Sequence, residues 1–331
     1  MYKILKYCIL TISLIGILQT FANASMEYDI KVAKDGSGDF LTIQEAINSV
    51  PDLRKNRTII YIKTGTYKEK LILPASKTNV SFIGEDRMKT VLTFDDYASK
   101  KNSYGEEIGT SGSSSFFVFG DGFYAENITF ENSSGPVGQA VAVRVTANFV
   151  YFENCRFLGY QDTLYPHGIG SKQYYRNCYI EGTTDFIFGS STALFESCEI
   201  NCKPGGSFIT AASTPDTVSY GYVFKNCRIM GSAPESSIFL GRPWRPYAKT
   251  IFINCYLGEQ IKAQGWDNWG KVTNEKTAFY AEFNNTGPGA NPDGRVKWSN
   301  QLTPTELEYY KDDLILAGWN PGTSNSSDIK K

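Results

Sequence analysis

Histidine is nearly absent from this chain. Among 331 residues only His167 occurs, and no Gly-x-Ser-x-Gly elbow surrounds any serine. A Ser-His-Asp mechanism would have to use that one imidazole, without the sharp turn that exposes a nucleophilic serine. An excess of either charge is also missing, with Lys+Arg 33 against Asp+Glu 34. That balance gives no electrostatic case for nucleic acid or an anionic membrane as partner. No CxxC and no His/Cys cluster suggests a metal. After the first two dozen residues there is no long apolar run. The run from Tyr7 to Leu18 follows Lys3 and Lys6 and leads to Ala22-Asn23-Ala24. It is too short for a comfortable membrane span, and the pattern reads as a signal peptide over residues 1–24. Residues 25–331 then read as a single domain, since nothing resembles an interdomain linker. The polar stretch 322–331 reads as a flexible tail.

What the chain has in abundance is repetition. Phe152-Glu153-Asn154-Cys155-Arg156-Phe157 is answered by Tyr175-Arg176-Asn177-Cys178-Tyr179-Ile180. The aromatic-x-Asn-Cys-x-apolar frame recurs around Cys198, Cys227 and Cys255, with Ser197 in place of Asn in one copy. Successive cysteines lie 23, 20, 29 and 28 residues apart, and a copy without cysteine, Ala125–Phe130, precedes them. Periods of this size indicate a solenoid, in which one repeat cannot bury its own apolar face. The alternating apolar positions and nearby Gly, Asn and Ser indicate short strands and turns. The fold class expected is therefore all-β, a right-handed parallel β-helix with inward-pointing cysteines stacked rung upon rung. A short helix over Thr42–Val50, with Pro51 beyond it, would cap the open N-terminal end. A second helix starts at Thr303-Pro304-Thr305-Glu306 and runs to about Ala317, packed back along the solenoid. Tyr97–Ser115 is a polar surface loop placed to line a groove. Six cysteines remain after export, five of them in the frame. Most would be small buried hydrophobes, although neighbouring coils bring Cα atoms within disulfide range.

The same register brings two carboxylates together. Asp162 and Asp185 each lie seven residues after a frame cysteine, Cys155 and Cys178. Stacked cysteines would put the aspartates on neighbouring coils, roughly 5 Å apart along the axis. Carboxylates that close do not ionise independently, and one acquires a raised pKa. A site can in this way hold an acid and a nucleophile or base at one pH. The alternative is two solvated turn residues. Asp185 is followed by an apolar run, Phe186-Ile187-Phe188, and a buried carboxylate needs a partner. Arg242 is the candidate, although an arginine before a Pro turn also suits plain surface. Gln139 and Gln161 supply neutral donors of the kind that suit an oxyanion in acyl transfer, or could equally form a solenoid side-chain ladder. His167 reads as a loop residue at the groove rim.

Four clusters, GQAVAVR (Gly138–Arg144), YQDTLY (Tyr160–Tyr165), GTTDFIFG (Gly182–Gly189) and LGRPW (Leu240–Trp244), together resemble the signatures of the pectin methylesterases, or pectinesterases, of carbohydrate esterase family 8. Only Val143 and Thr184 depart from the family patterns, and neither sits at a chemical position. The resemblance runs from Asp35 to Pro321. It implies the parallel β-helix already read from the repeats, and hydrolysis of galacturonate methyl esters in pectin (homogalacturonan) with release of methanol. It implies Asp185 as nucleophile and Asp162 as the acid that protonates methanol and then acts as base. Gln139 and Gln161 would stabilise the oxyanion, and Arg242 would hold Asp185 ionised and aimed. Tyr165, Phe188, Trp244 and Trp266 match aromatic positions of the family's sugar groove, and Cys178 with Cys198 matches a disulfide of bacterial members. No cofactor or metal is implied; the partner is the polysaccharide and the protein a monomer, exported to the periplasm or beyond.

Two other pectin-active β-helices weigh against this. A polygalacturonase also pairs aspartates, for attack of water at a glycosidic carbon. A pectate lyase would want clustered acidic calcium ligands. The two glutamines and the lack of a third acid beside the pair favour acyl transfer. A non-catalytic carbohydrate-binding β-helix is opposed by the intact set of five polar residues.

Overall fold

The structure, a computed structural model, describes residues 27–321, so the proposed signal peptide, Cys8 and the tail lie outside the described residues. The chain winds as a parallel β-helix of three sheets with 11, 7 and 8 strands, and every strand pair is parallel. Seven coils contribute one strand to each sheet in turn, and the extra strands lie toward the two ends. The eleven-stranded sheet includes Val150–Glu153, Lys172–Arg176, Thr192–Glu196, Tyr222–Lys225 and Lys249–Ile253. The eight-stranded sheet follows around a corner, with Arg156–Leu158, Tyr179–Gly182 and Glu199–Cys202. The seven-stranded sheet includes Val143–Val145, Leu164–Pro166, Thr184–Gly189, Phe208–Ala212 and Phe239–Gly241.

Every part of the repeated frame has a place at the first corner. Its aromatics are register partners on successive coils, Phe152↔Tyr175↔Phe195↔Phe224↔Phe252. Their rings stack inside at centroid separations of 5.2, 4.7, 4.5 and 4.5 Å. Its asparagines turn the corner: Asn127, Asn154, Asn177, Asn226 and Asn254 all have positive φ, as does Ser197. Among residues with a Cβ, asparagine is one of the few that visits this left-handed region readily. The frame cysteines then point inward, all buried, and each thiol donates to the carbonyl at the frame's first position on the preceding coil. Cys178 reaches Phe152 O at 3.5 Å and Cys198 reaches Tyr175 O at 3.3 Å.

That arrangement corrects the expected Cys178–Cys198 disulfide. Both are free thiols in this structure, each donating to a backbone carbonyl and each also in side-chain contact with the other. Burial pushes both thiols well above their ordinary pKa, which disfavours the reactive thiolate.

The N-terminal end and one flank of the solenoid are covered. The helix Ile43–Ser49 buries Ile43, Ala46 and Ile47 and starts at Thr42, whose hydroxyl accepts from Glu45 N–H at 3.3 Å. The C-terminal segment is broken into three turns, Pro304–Leu307, Glu308–Tyr310 and Asp312–Ile315, rather than one helix to Ala317. Lys311 is extended, with ψ 147°, and interrupts the helix there. Thr303 and Glu306 still form the reciprocal cap at its start. Leu302, Ile315 and Leu316 from this segment pack with Tyr151, Tyr174 and Leu194 on the outer face of the eleven-stranded sheet. No helix among the described residues is long and apolar enough to cross a membrane.

Candidate active site

The outer face of the seven-stranded sheet carries a cavity of about 430 Å³. Gln139, Gln161, Asp162, Tyr165, Asp185, Phe188, Arg242 and Trp244 all line it. Residues from four coils thus meet in one place, because each precedes, occupies or follows a strand of the same sheet. Gln139 and Gln161 are partners in an isolated parallel bridge. Asp162 N–H donates to Thr184 O at 3.1 Å, which locks the two aspartate-bearing segments together.

Both aspartates hold a left-handed backbone, with φ 64° at Asp162 and 50° at Asp185. Aspartate tolerates this better than most residues, and such conformations gather at functional sites. Around Asp185 the pairing with Phe208–Ala212 also shifts register between Thr184 and Ile187. A bulge of this kind re-aims a side chain that regular alternation would otherwise direct elsewhere. Two glycines make the approach possible. A Cβ on Gly182 would lie 2.2 Å from Phe186 Cβ, and one on Gly241 would lie 2.0 Å from Thr210 Oγ1.

The electrostatics separate the two carboxyls. Arg242 donates to Asp185 through Nε at 2.9 Å and Nη2 at 2.6 Å, a bidentate pair. Its guanidinium is clamped between Trp269 and Phe208, 3.7 and 4.0 Å from their ring centroids. Asp162 has no cationic partner of its own and accepts from Gln139 Nε2 at 3.1 Å. Burial, and then the charge of Asp185, raise the Asp162 pKa well above the carboxylate range. Burial raises Asp185 too, but Arg242 opposes the rise. Asp162 is therefore the carboxyl that holds a proton more readily of the two, and Asp185 the better anion.

Aromatic rings form the cavity walls. Tyr165 and Phe188 stack at 4.1 Å with an interplanar angle of 13°, and Trp244 leans on both. Ile108–Ser111, from the loop expected to line a groove, closes one side. That loop is tied to the site, with Ala98 N–H donating to Gln139 O at 2.9 Å and Val141 N–H to Ser113 Oγ at 3.2 Å. His167 lies beside the wall, stacked on Tyr165 at 4.7 Å with Nδ1 2.9 Å from Ser190 Oγ. Burial lowers its pKa.

Two expectations need correction. Trp266 does not line the cavity; it is 1% exposed and packs in the core against Phe252 and Tyr280. A bridge to Gly241 makes it a rung of the sheet that faces inward, and Trp269 supplies the wall instead. A third acid also acts on Asp185. Asp267 raises the pKa of Asp185, while one of its oxygens accepts from Trp269 N–H at 2.7 Å.

Comparison with known proteins agrees with this architecture. A family model described as Pectinesterase matches residues 29–314. Pectinesterase 31 of Arabidopsis thaliana is 45% identical over 287 residues, covering 85% of this chain and 90% of that protein. A probable pectinesterase/pectinesterase inhibitor of Brassica napus is 42% identical over 304 residues, and the match spans 87% of this chain but half the length of that relative. Among solved structures, a pectin methylesterase from carrot superposes with a TM-score of 0.81 at 34% identity, covering 89% of this chain and 95% of its own. One solved in complex with a hexasaccharide gives 0.80 at 31% identity, covering 89% and 98%. The fold is thus shared with proteins of one name, and this chain belongs to the pectinesterase family.

Proposed function

We propose that the chain hydrolyses the methyl esters of galacturonate units in pectin, releasing methanol and leaving free carboxylates. The observation that carries this reading is the split aspartate pair, with Asp185 held by Arg242 and Asp162 buried without a cation. In the first step an Asp185 oxygen attacks the ester carbonyl carbon. Negative charge then develops on the carbonyl oxygen, within reach of amide donors of Gln139 and Gln161. Gln139 uses one N–H on Asp162 and has a second to offer. As the C–O bond to methoxide breaks, Asp162 transfers its proton and methanol leaves. Asp162, now a carboxylate, takes a proton from water. The resulting hydroxide attacks the acyl carbon, and Asp185 departs as a carboxylate. The cycle restores both groups and consumes one water.

The aromatic wall and a cavity open to solvent support a sugar chain as the occupant, in line with the relative solved with a hexasaccharide. A glycosidase reading would need water activated at a glycosidic carbon, which gives no role to the paired glutamines. The leader-like N-terminus supports export, and we read the mature chain from residue 25 as one monomeric unit. The test is methanol release from highly methylated pectin, with product chain length followed in parallel. Methanol without shortening, lost in Asp185→Asn, is the expected result. Shortened chains without methanol would replace this function with depolymerisation.

A further inference from the structure

Arg144 differs from every other arginine among the described residues. Arg54, Arg57, Arg87, Arg156, Arg176, Arg228, Arg242, Arg245 and Arg295 each donate at least one hydrogen bond. Arg144 donates none and forms no ion pair, and its Nε is buried without a partner. Its position is set by the sheet. Val143 and Val145 point into the core, so alternation turns Arg144 to the outer face that carries the cavity. It is the register partner of Tyr165 on the next coil, and Tyr165 stacks on Phe188. The guanidinium sits 5.6 Å from the Tyr165 ring centroid and 5.9 Å from that of Phe119. Two rings hold it in place while leaving its hydrogen-bond donors unused.

A half-buried, fixed cation without a counter-ion, at the end of an aromatic wall, suits a planar anion presented from solution. Burial lowers the pKa of the neighbouring His167, which favours a neutral imidazole and leaves Arg144 as the charge there. The coil bearing Arg144 is two strand spacings, roughly 10 Å, from the coil bearing Asp185, which is too far to touch the reacting ester. We infer that Arg144 binds the free carboxylate of a galacturonate unit neighbouring the ester under attack. This rests on the proposed esterase reading and extends it to specificity. A chain with a free acid on the Arg144 side binds better than a fully methylated one, so demethylation proceeds next to sites already cleared.

The test compares KM for fully methylated pectin with KM for pectin carrying blocks of free acid, in wild type, Arg144→Gln and Arg144→Lys. Wild type is expected to favour the block-bearing substrate by about tenfold, the size of one charge-assisted contact. The ratio should fall toward one in Arg144→Gln and be partly kept in Arg144→Lys. General damage to the sheet would move both KM values and leave their ratio intact. A wild-type ratio near one, or the same ratio in Arg144→Gln as in wild type, overturns the inference. If wild type releases no methanol from either pectin, the esterase reading fails first and this inference fails with it.

Discussion

At the corner between the eleven- and eight-stranded sheets, Asn127, Asn154, Asn177, Asn226 and Asn254 hold a left-handed backbone. At the start of two central strands of the seven-stranded sheet, Asp162 and Asp185 hold one too. The strain is comparable at the two places, and the surroundings are opposite. The asparagines are exposed or half-buried and repeat on coil after coil, each before a buried cysteine or, after Asn127, a buried isoleucine. Their amides bond along the ladder, as where Asn154 Nδ2 donates to Asn127 Oδ1 at 2.6 Å. The aspartates occur on two coils only and are 3% and 6% exposed. A solenoid is held together by what repeats on each rung. Its chemistry sits where the repeat is broken and a charge is buried instead.

Substituting both kinds of turn residue separates the two roles. Asp185→Asn gives the largest expected effect. Asparagine accepts the same φ, so the fold and its thermal transition should be retained while kcat for methanol release falls by on the order of 10⁴-fold or more. Loss of the fold along with the activity would mean that Asp185 is a structural corner like the asparagines. Next in size is Phe195→Ala, within the interior stack between Tyr175 and Phe224. Removing this fully buried ring should cost about 3–5 kcal/mol in denaturant unfolding, with kcat per folded molecule unchanged. A clear drop in kcat at that position would show that the core and the site are not separable.

The sequence made the repeating part legible and the site only partly so. Phe152, Asn154 and Cys155, with their counterparts, could be assigned to interior, corner and interior because five copies constrain one geometry. Asp162 and Asp185 could be paired because they keep a fixed offset from those cysteines. Residues tied to no repeat were harder to place. Trp266 and Trp269 share one Gly-rich loop, and only the backbone bridge from Gly241 to Trp266 shows which ring turns inward. The influence of Asp267 on Asp185 depends on that loop's path, which spacing does not reveal. The break at Lys311 sits in a segment whose helix start was correctly marked by Thr303 and Glu306. The thiol-to-carbonyl hydrogen bonds across coils are likewise displayed by no sequence offset.

A smaller effect is expected at the corner itself. Asn177→Ala keeps the cysteine ladder but puts a less tolerant residue at φ 53°, for a loss of about 1–2 kcal/mol. Asn177→Gly should recover part of it, since glycine adopts that region without a Cβ clash. Equal destabilisation by Ala and Gly would show that the asparagine amide, rather than its backbone, is what the corner requires.

The last comparison turns the buried acid against the fold. The folded pKa of Asp162 is raised well above its ordinary value, by burial and by the charge of Asp185. Between the unfolded value, near 3.9, and the folded one, the native state holds a proton that the unfolded chain has lost, so stability falls as pH rises. The contribution is fully present below the unfolded pKa and is lost on passing through the folded one. The neutral amide of an Asp162→Asn variant resembles the protonated acid at every pH and has nothing to lose. The melting temperatures of variant and wild type should therefore coincide in acid and diverge toward neutrality, with the inactive variant the more stable. Scanning both from about pH 3 to about pH 8, a range that starts below the unfolded value, checks the sign. A wild type that gains on the variant as pH rises would mean that Asp162 is stabilised as an anion, and an anion at that position could not protonate departing methanol.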